Sequence, residues 1–99
     1  MPHLFVLDLR YTADLAQVDA LLPAHRDWLA QHYTAGTFLA SGRKEPRTGG
    51  IVLAQGERSA IDAILAEDPL TIGGVVAYTV TEFVPTTTGP ALEHLRVDA

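Results

Sequence analysis

The segment His3-Leu4-Phe5-Val6-Leu7-Asp8-Leu9-Arg10 constrains this chain more than any other, because it is apolar on both faces of a strand pleat. Alternate residues of a strand point to opposite sides, so Phe5, Leu7 and Leu9 face one way while Leu4 and Val6 face the other. A strand of this kind needs cover above and below. The chain has 99 residues, enough for one domain but too few to bury more than about two-thirds of its unfolded surface. It therefore gains from association.

The remaining elements follow from periodicity and punctuation. Thr12 to Asp14 can cap a helical segment over Leu15–Leu22, and Pro23 predicts a break before a main helix over Pro23–Ala35. Gly36 supplies the stop. Strands are predicted over Thr37–Ser41 and Ile51–Gln55, joined by the loop Gly42–Gly50. A second helix starts at Ser59, with Asp62 three residues on, and ends at Asp68-Pro69 because a residue before proline avoids helical backbone. Val75–Val84 is the fourth strand, and the tail from Thr86 is polar, with a short turn over Ala91–Leu95. The order β-α-β-β-α-β predicts an α+β, ferredoxin-like fold: a four-stranded antiparallel sheet with two helices on one face. The whole of residues 1–99 reads as one domain, its core at about 3–84 and its tail at 86–99. Tyr78 and Val80 face opposite to Ala77 and Phe83, so two helices leave an apolar sheet face open, and a homodimer is expected to cover it.

Composition removes several function classes. The net charge is −5 and no basic run exceeds Arg43-Lys44, so neither nucleic acid nor an anionic membrane surface is an expected partner. The chain has no cysteine, which excludes disulfides, thiolate nucleophiles and zinc–thiolate sites. Apolar runs are strand-sized, and the start Met-Pro-His-Leu lacks the pattern of a signal peptide. A cytoplasmic protein is expected.

One pair of residues stands out. At about 100° per residue, His25, Trp28, Leu29, His32 and Tyr33 share a face of the main helix, so His25 points at the sheet. Asp68 follows Ile61 by nearly two helical turns and shares its direction. It also stands where a helix C-terminus carries partial negative charge, and a nearby histidine would compensate. An imidazole oriented by a carboxylate is the usual form of a general acid or base. The plainer reading is a hydrogen-bonded core histidine beside an Asp-Pro stop signal, and spacing alone leaves both open. His25 and His32 are too far apart along the helix to chelate one metal, so no metal site is expected. Arg43, Lys44 and Arg47 could bind a substrate carboxylate or phosphate, or form a solvated loop. Ser41 lacks a sequence-local base.

Four segments resemble the motif series of the YciI-like (YCII-related) family: Leu22-Pro23-Ala24-His25-Arg26-Asp27-Trp28-Leu29, Ala35-Gly36-Thr37-Phe38-Leu39-Ala40-Ser41-Gly42, Gly49-Gly50-Ile51-Val52-Leu53 and Glu67-Asp68-Pro69-Leu70. The resemblance covers about residues 3 to 84. It implies the dimeric α+β barrel type, paired through its sheets as in the muconolactone-isomerase group. It also implies a catalytic His25–Asp68 pair in a cleft and no cofactor. Some relatives are similar to dehydrochlorinases acting on hydroxylated aromatic rings. The chain departs from the family at Arg43, where a proline is common, and at Leu70, where an aromatic is common. With Ser41, Arg43 is a candidate for substrate binding. Three functions remain: a cofactor-free lyase, isomerase or hydrolase acting on a small aromatic or anionic molecule, a ligand-binding module using the same cleft, and a dimerisation unit.

Overall fold

The computed structural model describes residues 2–98, and its strands are held by the two-faced segment read above. That segment is β1 (His3–Tyr11), hydrogen-bonded on both sides within one antiparallel sheet. The other strands are β2 (Phe38–Arg43), β3 (Gly49–Gly56) and β4 (Val76–Phe83), in the order β2-β3-β1-β4. The helices are α1 (Leu15–Thr34), α2 (Arg58–Ala66) and a four-residue α3 (Pro69–Ile72). This is the predicted ferredoxin-like α+β topology, with one short helix added.

The predicted break at Pro23 is absent: α1 runs without interruption through it. Proline removes one backbone donor, which would otherwise serve the carbonyl four residues back. Pro23 and Asp19 are both exposed, so water can take that carbonyl and the helix continues. Gly36 stops α1 as predicted, at φ 80°. Its N–H goes to the Tyr33 carbonyl and that of Thr37 to the His32 carbonyl, each 3.0 Å, which is a Schellman motif. The second helix begins at Arg58 rather than Ser59, with Glu57 as N-cap. Asp62 forms no capping box there, since it pairs with Arg58 one turn back at 3.1 Å.

The core lies between the sheet and the helices in two clusters. Phe5, Leu7, Trp28, Phe38, Val52, Ala54, Ile61 and Leu65 form the larger. Leu9, Val18, Leu70 and Val75 form the smaller, and Tyr78 packs against both. The Trp28 indole N–H donates to the Ile64 carbonyl at 3.2 Å and ties α1 to α2.

The far sheet face is more mixed than β1 alone suggests. Val6 is flanked there by Leu53 and Thr81, and Asp8 by Ile51 and Thr79, with Lys44 paired to Asp8. The tail folds back over one end of this face. A 3-10 helix (Pro90–Leu95) leads to Val97, whose N–H donates to the Pro85 carbonyl at 2.9 Å. Val97 and Leu4 are both buried.

β2 carries one irregularity that matters for the site. Phe38 pairs with Ala54, yet Ser41 pairs with Val52, so β2 spends three residues where β3 spends two. An extra residue reverses the side to which all later residues point. The shift turns Ser41 and Arg43 toward the helices and leaves Ala40 and Gly42 on the far face.

Candidate active site

α1 presents Leu22, His25, Arg26 and Leu29 along one stripe, at the spacing that puts side chains on a single helix face. Opposite them stand Ser41, Gly42 and Arg43 of β2 and Gly49 to Val52 of β3. Between the two lies a cavity of about 550 Å³, lined also by Leu9, Tyr11, Arg47 and Leu70, a volume within the range of small-molecule sites.

His25 and Asp68 meet. The His25 Nδ1 lies 2.8 Å from Asp68 Oδ1, across 43 residues of sequence. The His25 side chain is 12% exposed and that of Asp68 is 0% exposed. A carboxylate removed from water needs its oxygens satisfied, and Asp68 has three donors. Besides His25, the Leu70 N–H donates to Oδ1 at 3.0 Å and the Tyr78 hydroxyl to Oδ2 at 2.6 Å. Burial, then the adjacent Asp68 charge and the hydrogen bond to it, push the Tyr78 phenol well above the ordinary tyrosine range. Tyr78 therefore keeps its proton and donates. With Tyr78 and Leu70 both donating, Asp68 is left to accept from His25. Nδ1 then carries hydrogen, which leaves Nε2 as the nitrogen free to exchange a proton.

The electrostatic setting of Asp68 differs from the expectation. Rather than ending α2, Asp68 is the N-cap of α3, with Pro69 in the first turn. Its charge faces the positive end of a short helix, and the Leu70 N–H is one of the donors such an end leaves open. The negative helix end is not what recruits His25. Burial and the need for donors suffice.

Ser41 and Arg43 line the same cavity as His25. The Tyr33 hydroxyl donates to Ser41 Oγ at 2.5 Å, so the Ser41 hydrogen is free to point elsewhere. Arg47 also lines the cavity, paired with Asp19 and stacked 5.7 Å from the centre of the Tyr11 ring. Lys44 is turned away to Asp8 and is not part of the lining. The sequence reading passed over two residues, Arg26 and Tyr78, as site members. Arg26 lies four after Leu22 and three before Leu29, a spacing that marks it for the same stripe. Tyr78 alternates with Ala77 along β4, but nothing local indicates that its hydroxyl reaches Asp68. His32, on the same helix face, has a buried Nε2 without a hydrogen-bond partner and sits among the rings of Trp28 and Phe38. Among the described residues, no group of three histidine or acidic side chains is placed to hold a metal ion, and no helix is long and apolar enough to cross a membrane.

The fold is shared with solved structures of two different proteins. One is 5-chloro-2-hydroxyhydroquinone dehydrochlorinase from Burkholderia phenoliruptrix AC1100, in complex with 2,5-dihydroxybenzoquinone. It aligns with a TM-score of 0.70 and 17% identity over 81% of this chain and 92% of that one. The other is SnoaB, a cofactor-independent oxygenase from Streptomyces nogalater, with a TM-score of 0.54 and 13% identity over 90% of this chain and 97% of that one. At these identities the likeness concerns the fold alone. No curated protein matches the chain in sequence. The model of the YCII-related domain matches residues 4–84, most of the chain and all of the sheet but His3, with the helices α1 to α3. The chain belongs to the YCII-related domain family.

Proposed function

We propose that this protein is a cofactor-free enzyme, a lyase, isomerase or hydrolase, in which His25 moves a proton on a small aromatic or anionic substrate bound in the 550 Å³ cavity. The observation that carries the reading is the bond from His25 Nδ1 to the fully buried Asp68. A core histidine would have its second nitrogen packed away, whereas His25 borders an open cavity. Asp68 orients the imidazole and stabilises the imidazolium that forms when Nε2 accepts a proton. Tyr78 and the Leu70 N–H keep Asp68 from turning. Ser41 and Arg43 bind the substrate. The two solved structures of similar fold, a dehydrochlorinase holding a dihydroxybenzoquinone and a cofactor-independent oxygenase, support hydroxylated or quinoid rings as the first compounds to try.

The acting unit is, in the same proposal, a cytoplasmic homodimer joined through the far sheet face, where Val6, Ile51, Leu53 and Phe83 remain partly or wholly uncovered. Light scattering should give twice the chain mass at micromolar concentration. A monomer at every concentration would end this part of the proposal.

The test of chemistry is turnover without added cofactor across hydroxylated and chlorinated hydroquinones, read as chloride release or ring absorbance. His25→Ala should fold and lose about 100-fold or more in kcat, the share general acid–base catalysis ordinarily supplies. A folded His25→Ala protein with full activity on an identified substrate would remove the catalytic reading.

A further inference from the structure

We propose that the group by which this protein holds its substrate is a carboxylate, seated between Arg26 and Arg43 with the Ser41 hydroxyl, and that the bound molecule is a small carboxylate with an apolar body. The proposal rests on the reading of the cavity as a substrate site and names the class of substrate.

Charge is the first support. The chain has net charge −5 and only seven lysines and arginines, yet Arg26, Arg43 and Arg47 line one cavity, whose lining contains no carboxylate. Arg47 is committed to Asp19. Arg26 and Arg43 are exposed and have no ion-pair partner among the described residues. Two cations left unpaired in an acidic protein, on opposite walls of one cavity, favour an anion between them.

Hydrogen bonding is the second. Ser41 Oγ accepts from Tyr33, which leaves its own hydrogen to donate in the cavity, and a donor suits an acceptor-only carboxylate. Tyr33 thereby acts as a positioning residue. The reversed side of β2 is what brings Ser41 and Arg43 into the cavity together.

The donor set favours a carboxylate over a phosphate. Phosphate sites commonly use helix N-termini and runs of backbone N–H. α3 is the helix that starts beside this cavity, and its Leu70 N–H is already given to Asp68. What remains is guanidinium, which grips a carboxylate through two parallel N–H bonds without needing a run of backbone donors. Leu22, Leu29 and Leu70 line the same cavity and offer the carbon skeleton an apolar surface.

The test compares 4-hydroxybenzoate with 4-hydroxybenzyl alcohol, the same ring without the charge, by calorimetry and by backbone amide shifts. The carboxylate should bind at least about tenfold more tightly, with an affinity that falls as salt is raised. The shifts should centre on Gly42 and Arg43. Arg43→Ala and Arg26→Ala should each remove most of that preference, and Tyr33→Phe should weaken it while Tyr33→His, able to donate again, restores part. Lys44→Ala, outside the cavity lining, should keep it. Equal binding of the two probes, absence of binding by both, or unchanged preference in both arginine variants would overturn the proposal. Selective binding that persists in a protein with no turnover on any compound would sink the catalytic reading and leave the carboxylate site standing.

Discussion

Asp68, buried behind His25, and the arginine rim of the cavity are the two charged regions of the site, and they are built in opposite ways. Asp68 is fully buried and fixed by three donors from three elements. Arg26 and Arg43 are exposed, on a helix and a strand, with no ion-pair partner among the described residues. The buried charge acts where the dielectric is low, so each hydrogen bond is strong and each lost donor is costly. The rim charges act through water, so they contribute little to stability and can adapt to a ligand. In the proposed function, one region sets geometry and the other sets affinity. Substitutions should separate these two roles cleanly.

The largest expected effect is that of Asp68→Ala. It strands the Tyr78 hydroxyl, the Leu70 N–H and the His25 Nδ1 at once, and urea unfolding should show a loss of about 3 kcal/mol or more. Tyr78→Phe removes one hydrogen bond to a charged acceptor and should lose about 1.5–3 kcal/mol in the same measurement. A loss below that of an ordinary surface substitution would mean that Asp68 is held without Tyr78.

The same tyrosine gives the hub a signature at high pH. Its folded pKa lies above the unfolded value, so the stability linked to it is complete below the unfolded pKa of about 10. Above that value the unfolded chain releases the proton while the folded one retains it. Stability should then fall by about 1.4 kcal/mol per pH unit more steeply in the parent protein than in Tyr78→Phe. Parallel curves for the two proteins between pH 9 and 11 would contradict the buried, protonated hydroxyl.

The smallest expected effect lies at the rim. Arg26→Ala and Arg43→Ala should change stability by no more than about 0.5 kcal/mol. A larger loss in either would show that the rim is structural, and the contrast between the regions would fail.

Much of this molecule is legible in the sequence, for local reasons. The apolar pattern of β1, the glycine stop at Gly36 and the Asp68-Pro69 boundary each act within a few residues. The inward direction of His25 is legible too, because α1 presents a period that fixes it. What escapes depends on distant partners. Pro23 is tolerated because its side of α1 faces water. The reversal in β2 depends on pairing with β3, and without it Ser41 and Arg43 would face away from the cavity. Tyr78 reaches Asp68 only because β4 lies beside β1 under α3. Asp68 itself was placed correctly for a partly mistaken reason, since the short helix it caps is anchored by packing of Leu70 in the smaller core cluster.

The central claim is that Asp68 holds His25 with hydrogen on Nδ1 and the Nε2 lone pair toward the cavity. Long-range nitrogen–proton correlation spectra of the imidazole rings test it most directly, with the four histidines assigned by single substitution. In its uncharged form, His25 should show Nδ1 as the protonated nitrogen, and Asp68→Asn should shift the ring toward the other tautomer. An uncharged His25 protonated on Nε2, with a spectrum unchanged by Asp68→Asn, would contradict the account.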